Sequence, residues 1–107
     1  MSWIDFGDDG ATQVTLLPKR GNVVCFEFQC QNYKYHVELR KDKSTGKWIG
    51  EWQCPKDQYV NHPEEGLVAA FGEKIGSVLS LTGTTWCEMY EGTIRNYQWT
   101  AELDGVK

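Results

Sequence analysis

Cys25, Glu27, His36, Glu38 and Glu51 are the residues of this chain whose types could do chemistry together. A thiol, an imidazole and carboxylates can move protons or hold a metal. Two carboxylates forced to face each other raise the pKa of one of them, the usual preparation for acid–base work. These residues meet only if the segments that carry them are neighbouring β-strands.

The segments have that form. Val23 to Gln31 alternates apolar and polar residues, as does Tyr33 to Lys41, and only Gln31 and Asn32 remain to turn between them. A two-residue hairpin loop fixes the register. It pairs Cys30 with Tyr33, Phe28 with Tyr35, Phe26 with Val37 and Val24 with Leu39 on one face. On the other face Glu27 meets His36 and Cys25 meets Glu38. Asp42 to Gly46 forms the next turn, and Lys47 to Cys54 the next strand. An even loop puts Trp48, Trp52 and Cys54 on the apolar face, whereas an odd loop buries Glu51 and Gln53. Burying an unpaired carboxylate is costly, so the even register is expected, with Val37 facing Trp52, Leu39 facing Gly50, His36 facing Gln53 and Glu38 facing Glu51. Glu38, Glu51 and His36 are then the candidate catalytic residues. Antiparallel sheets commonly keep one wet face, and Lys34 and Arg40 can neutralise these acids. The favoured reading is therefore a solvated surface, with no resident metal and no cofactor.

The opposite face carries Tyr35, Trp48, Trp52, Trp86, Tyr97 and Trp99, the candidate ligand- or partner-binding residues. Five Trp, five Tyr and four Phe are many for 107 residues. Buried Trp and Tyr need hydrogen-bond partners, so some of these rings are expected to line a pocket, a surface or an interface.

Downstream, Asn61-His62-Pro63-Glu64-Glu65 reads as a helix start, with Pro and acidic residues in the first turn. Leu67, Val68, Phe71, Ile75, Val78 and Leu79 fall within about 120° at helical spacing, which predicts one amphipathic helix over 63–81. Gly72 and Gly76 border that stripe and imply a close neighbour, either a sheet aromatic or a second helix. A C-terminal hairpin over 84–103 turns at Glu91-Gly92, pairing Trp86 with Tyr97, Thr84 with Trp99 and Glu88 with Arg95. Residues 1–11 read as an N-terminal loop and 12–54 as a four-stranded meander. The expectation is a single α+β domain over 1–107, an antiparallel sheet of about six strands in the order ββββ-α-ββ with the helix packed on one face. That order is loosely similar to small acidic secretion chaperones, whose flanking helices are missing here.

Composition narrows the function. A net charge of −4 argues against nucleic-acid binding. The basic hairpin residues Lys34, Arg40, Lys41, Lys43 and Lys47 are diluted by Glu38 and Asp42. No apolar run reaches membrane-spanning length, and the N-terminal residues lack the pattern of a signal peptide. A cytoplasmic protein is expected, with its four cysteines as thiols. Cys30, Cys54 and His62 could gather around zinc only through tertiary folding, and buried Cys more commonly serves as packing. The acidic Asp5, Asp8 and Asp9 lack the spacing of a calcium loop, and there is no nucleophile elbow or phosphate loop. Because one helix cannot cover six strands, the rest of the aromatic face predicts a homodimer. The leading expectation is a binding protein for a protein partner, of chaperone, inhibitor or immunity type. A small-molecule binder with an aromatic pocket between helix and sheet comes second, and an enzyme built on Glu38, Glu51 and His36 third.

Overall fold

The structure is a computed structural model that describes residues 1–7, 10–18, 22–30, 33–54, 65–90 and 92–106. Among these residues every regular element is a strand: β1 Trp3–Asp5, β2 Ala11–Leu17, β3 Val23–Cys30, β4 Tyr33–Lys41, β5 Lys47–Gln53, β6 Glu65–Ile75, β7 Val78–Tyr90, β8 Thr93–Asn96 and β9 Thr100–Asp104. Eight of them close an antiparallel barrel in the order β1-β2-β3-β4-β5-β6-β7-β9, and β9 returns to pair with β1. β8 lies outside the ring and pairs with the end of β7 beyond β9.

The meander is where local alternation is strongest, and it adopts the expected registers. Phe28 pairs with Tyr35 and Phe26 with Val37, while on β5 Trp52 pairs with Val37 and Gly50 with Leu39. Apart from Gly50, the inward residues of these pairs are buried and form one cluster with Ile4, Val68, Leu79, Leu81, Ala101 and Leu103 from the other strands.

The α+β class and the helix over 63–81 are overturned. Glu65 to Ile75 is β6, and Val78 already belongs to β7. The proposed helix start at 61–64, His62 included, lies outside the described residues. Along β6, Val68 and Ala70 point inward and are buried, whereas Leu67 and Phe71 point outward and are exposed. Opposite Ala69 and Ala70 the register shifts, with Thr84 of β7 left between the paired Gly83 and Thr85, so β6 itself keeps strict alternation. Apolar residues on both faces of a strand imitate a helical period, and periodicity alone cannot separate the two. The decisive signal is Gly76-Ser77. It is a two-residue turn between the paired Ile75 and Val78, with Gly76 at φ 63°, a backbone region open to glycine at little cost. The likeness to secretion chaperones rested on the helix and falls with it.

Two further expectations change. Residues 1–11 are not only loop: Trp3–Asp5 pairs with β2 on one side and β9 on the other, so it closes the barrel. Its start is tied down by Ser2, whose hydroxyl accepts from the Asp104 N–H at 2.9 Å. The C-terminal hairpin over 84–103 is instead parts of three strands. Glu88 does face Arg95, but the pairing slips by one residue before β9. The Gly83 N–H donates to the Trp99 carbonyl at 2.7 Å, and Thr82 pairs with Thr100.

Three glycines make room for the tryptophans. A Cβ on Gly66 would strike the Trp52 indole, one on Gly72 the Trp48 indole and one on Gly83 the Trp99 indole. The close approach inferred at Gly72 is therefore real, but it occurs between strands. Adding one methyl group here overpacks a dense core. Gly83→Ala should destabilise the barrel by about 1–3 kcal/mol, read from the urea midpoint. An unchanged midpoint would show that Trp99 moves aside freely.

Candidate functional site

The outer face of β3, β4 and β5 assembles a grid of polar side chains. Cys25 faces Glu38, and Glu38 faces Glu51; one step along, Glu27 faces His36, and His36 faces Gln53. The Cys25 thiol donates to Glu38 Oε2 at 3.4 Å. Arg40 holds the other oxygen, Oε1, at 3.4 Å. Glu27 lies 3.4 Å from His36 Nδ1. One donor atom each from Cys25, His36 and Glu38 lie within 4.8 Å of one another. Cys25 points outward yet is fully buried, whereas the side chains of His36 and Glu38 are 37% and 39% exposed. Glu38 and Glu51 are like charges set directly across a strand pair, an arrangement that costs stability.

A groove of about 690 Å³ runs beside this grid across β4, β5 and β6. Its polar wall includes His36, Glu38 and Glu51, and its apolar part includes Ile49, Leu67 and Ala69. Leu67 is 61% exposed, Phe71 53% and Ile49 41%. Lys47 Nζ lies over the Phe71 ring, 4.8 Å from its centre. Sequence reasoning missed these apolar residues because it placed Leu67 and Phe71 on the buried stripe of a helix. Reading Gly76-Ser77 as a hairpin turn would have put them outside.

The six aromatic candidates are brought together, but inside the barrel. Tyr35, Trp48, Trp52, Trp86 and Trp99 are buried and Tyr97 packs against them half-buried. Trp52 and Trp86 stack 5.8 Å apart at 5°, and Trp86 meets Trp99 edge-on at 5.8 Å. Trp52 Nε1 donates to the Cys87 carbonyl and Trp99 Nε1 to the Thr85 carbonyl, both at 2.9 Å. These rings are packing for the lumen, and the helix that was to form the other wall of a pocket is absent.

Comparison with known protein families, curated proteins and solved structures finds no match. Among the described residues no helix is long and apolar enough to cross a membrane.

At one end of the lumen, burial pushes the Tyr35 phenol far above the ordinary tyrosine value, helped by the charge of Glu88. Burial, then Glu88, also raises the Cys54 thiol. Both groups keep their protons in the fold at pH values where an unfolded chain releases them. Their contribution is complete below the ordinary thiol and phenol values of 9.0 and 10.0 and is lost as pH rises through the higher folded values. Stability should therefore fall steeply above pH 10.0, and Tyr35→Phe should flatten that fall. Urea midpoints measured across the alkaline range check this; identical slopes in the two proteins would refute it.

Proposed function

We propose that the barrel is a binding module for a protein partner, in the first place a second copy of the same chain, docking through the outer face of β5 and β6. The observation that carries this reading is the exposure of Ile49, Leu67 and Phe71 on two adjacent strands. Large apolar side chains gathered on one outer face and rimmed by polar groups mark interaction surfaces. Here Arg40, Lys47, Glu51 and Gln53 supply the rim, and Lys47 and Glu51 have opposite charge. A two-fold contact could pair the two across the interface.

Barrel closure buries the aromatic face that would otherwise have called for a partner. The outward apolar residues replace it as the support. A filled lumen favours an interaction role over a small-molecule pocket. The same reading puts the protein in the cytoplasm, in keeping with its cysteine thiols among the described residues and its acidity. No reaction is assigned to Glu38, Glu51 and His36.

Sedimentation or light scattering at tens of micromolar should find a dimer. Leu67→Glu should give a folded monomer whose thermal midpoint falls only by what association contributes, because exposed Leu67 contributes little to the core. Ile94→Glu, on the exposed β7–β8 ribbon, should leave the dimer intact. A native chain that runs as a monomer at these concentrations would overturn the self-association.

A further inference from the structure

We propose that the outer face of β3 and β4 holds a divalent transition-metal ion of the zinc class, bound by the Cys25 thiolate, a ring nitrogen of His36 and a carboxylate oxygen of Glu38. The inference is independent of the docking surface. It rests on donor identity, spacing, burial and supporting contacts.

The three donors come from paired positions of one hairpin, so the backbone ladder positions them before any ion arrives. Cys25 is directly across from Glu38, and His36 is two residues from Glu38 on the same face. Their donor atoms already lie within 4.8 Å of one another. Donors about 2.0–2.3 Å from a tetrahedral zinc are separated by roughly 3.5 Å, and Cys25 Sγ and Glu38 Oε2 are 3.4 Å apart. Small rotations of exposed side chains complete the approach of His36.

The supporting contacts also fit. Glu27 lies against His36 Nδ1, the carboxylate–histidine contact that orients and strengthens metal-bound imidazoles. Arg40 holds the other oxygen of Glu38. Cys25 forms the floor of the site, between Leu17 on β2 and Glu38 on β4. His36 and Glu38 form the exposed rim, which leaves an approach for the ion from solvent. A buried cysteine that serves only as packing sits among apolar side chains; this one donates to a carboxylate. The sequence already sets Cys25 opposite Glu38, but its favoured reading of this face is a solvated surface.

Sulfur and nitrogen donors select against calcium and magnesium and suit zinc or cobalt. A dication would also offset the repulsion between Glu38 and Glu51. Three protein ligands leave a fourth position open beside the groove that His36 and Glu38 line. Binding replaces the thiol proton with the metal–sulfur bond and releases that proton to solvent, so affinity should rise with pH.

Cobalt is the probe of choice, because its bond to a thiolate gives a charge-transfer absorption band. Titration of the full, metal-stripped chain with cobalt should show that band saturating at one equivalent, displaced by zinc. Cys25→Ser should abolish the band, while Cys87→Ser should retain it. Glu27→Gln should keep the band but weaken binding by about 10- to 100-fold. Circular dichroism and Trp fluorescence check that each variant is folded. Should Cys25→Ser fail to fold, His36→Gln tests the same site, since its exposed ring can be replaced without loss of core. Absence of the band at excess cobalt, its persistence in folded Cys25→Ser, or unchanged affinity in His36→Gln would each overturn the site.

Discussion

The fold depends on fitting large indole rings into a narrow barrel. The interior of an eight-stranded barrel is only just wide enough to be filled by side chains. Trp48, Trp52, Trp86 and Trp99 all point into it and are buried. Such rings fit only where a neighbouring strand yields space, and Gly66, Gly72 and Gly83 yield it to Trp52, Trp48 and Trp99. Each glycine weakens its strand locally, since it adds backbone freedom to the unfolded chain and no packing surface. Ring burial offsets that loss, and the indole N–H groups of Trp52 and Trp99 find carbonyl acceptors on β7. The lumen is thereby packed, and these two indole N–H groups are satisfied.

A filled lumen moves function to the exterior. Inward positions of β3, β4 and β5 are committed to the core, so the alternate positions on the same strands carry the reactive groups. Period-two alternation thus does two things at once: it packs Phe26, Phe28, Val37 and Trp52 inside, and it lines up Cys25, Glu27, His36, Glu38 and Glu51 outside. The rigidity of the core fixes the spacing of the outer grid. Core and candidate site are two faces of one register, and a one-residue slip would exchange them.

What could be read from sequence follows the range of the contacts. The hairpin registers of the meander are local. Gln31-Asn32 leaves no slack, and an odd loop before Lys47 would bury Glu51, so alternation and turn length suffice. The polar grid was legible for the same reason. The β6–β7 hairpin was local too, but its pattern is ambiguous: Leu67, Phe71 and Ile75 outside and Val68, Leu79 and Leu81 inside give both a helical and a strand period. With the stripe read as a helix, Gly72 and Gly76 imply only a close neighbour, whereas Gly76-Ser77 is the turn between two strands. Barrel closure was not legible. The pairing of Trp3–Asp5 with Thr100–Asp104 joins the two ends of the chain, and nothing in a three-residue strand announces a partner so distant. The slip near Trp99 is likewise set by Gly83 and the size of the ring, a tertiary fit that hairpin counting cannot show.

The outer grid is the place where this sequence departs most from what stability alone would select. Facing carboxylates repel, and an outward cysteine buried against one of them contributes less than an aliphatic residue on either side of a sheet would. Beside them, Ile49, Leu67 and Phe71 expose apolar surface that the barrel does not need. Natural sequences are locally consistent except where function imposes another demand. In the β2–β5 part of the core, alternation and register agree, and the register shift lies instead on β7 near Thr84. On β3 to β6 the polar departures on β3 to β5 adjoin the apolar ones on β5 and β6, while a second exposed apolar pair, Met89 and Ile94, lies on the β7–β8 ribbon. Two unrelated departures from stability on adjacent strands are hard to explain by drift on a solvated face. They suit the two proposed roles of this surface, holding an ion and meeting an apolar partner.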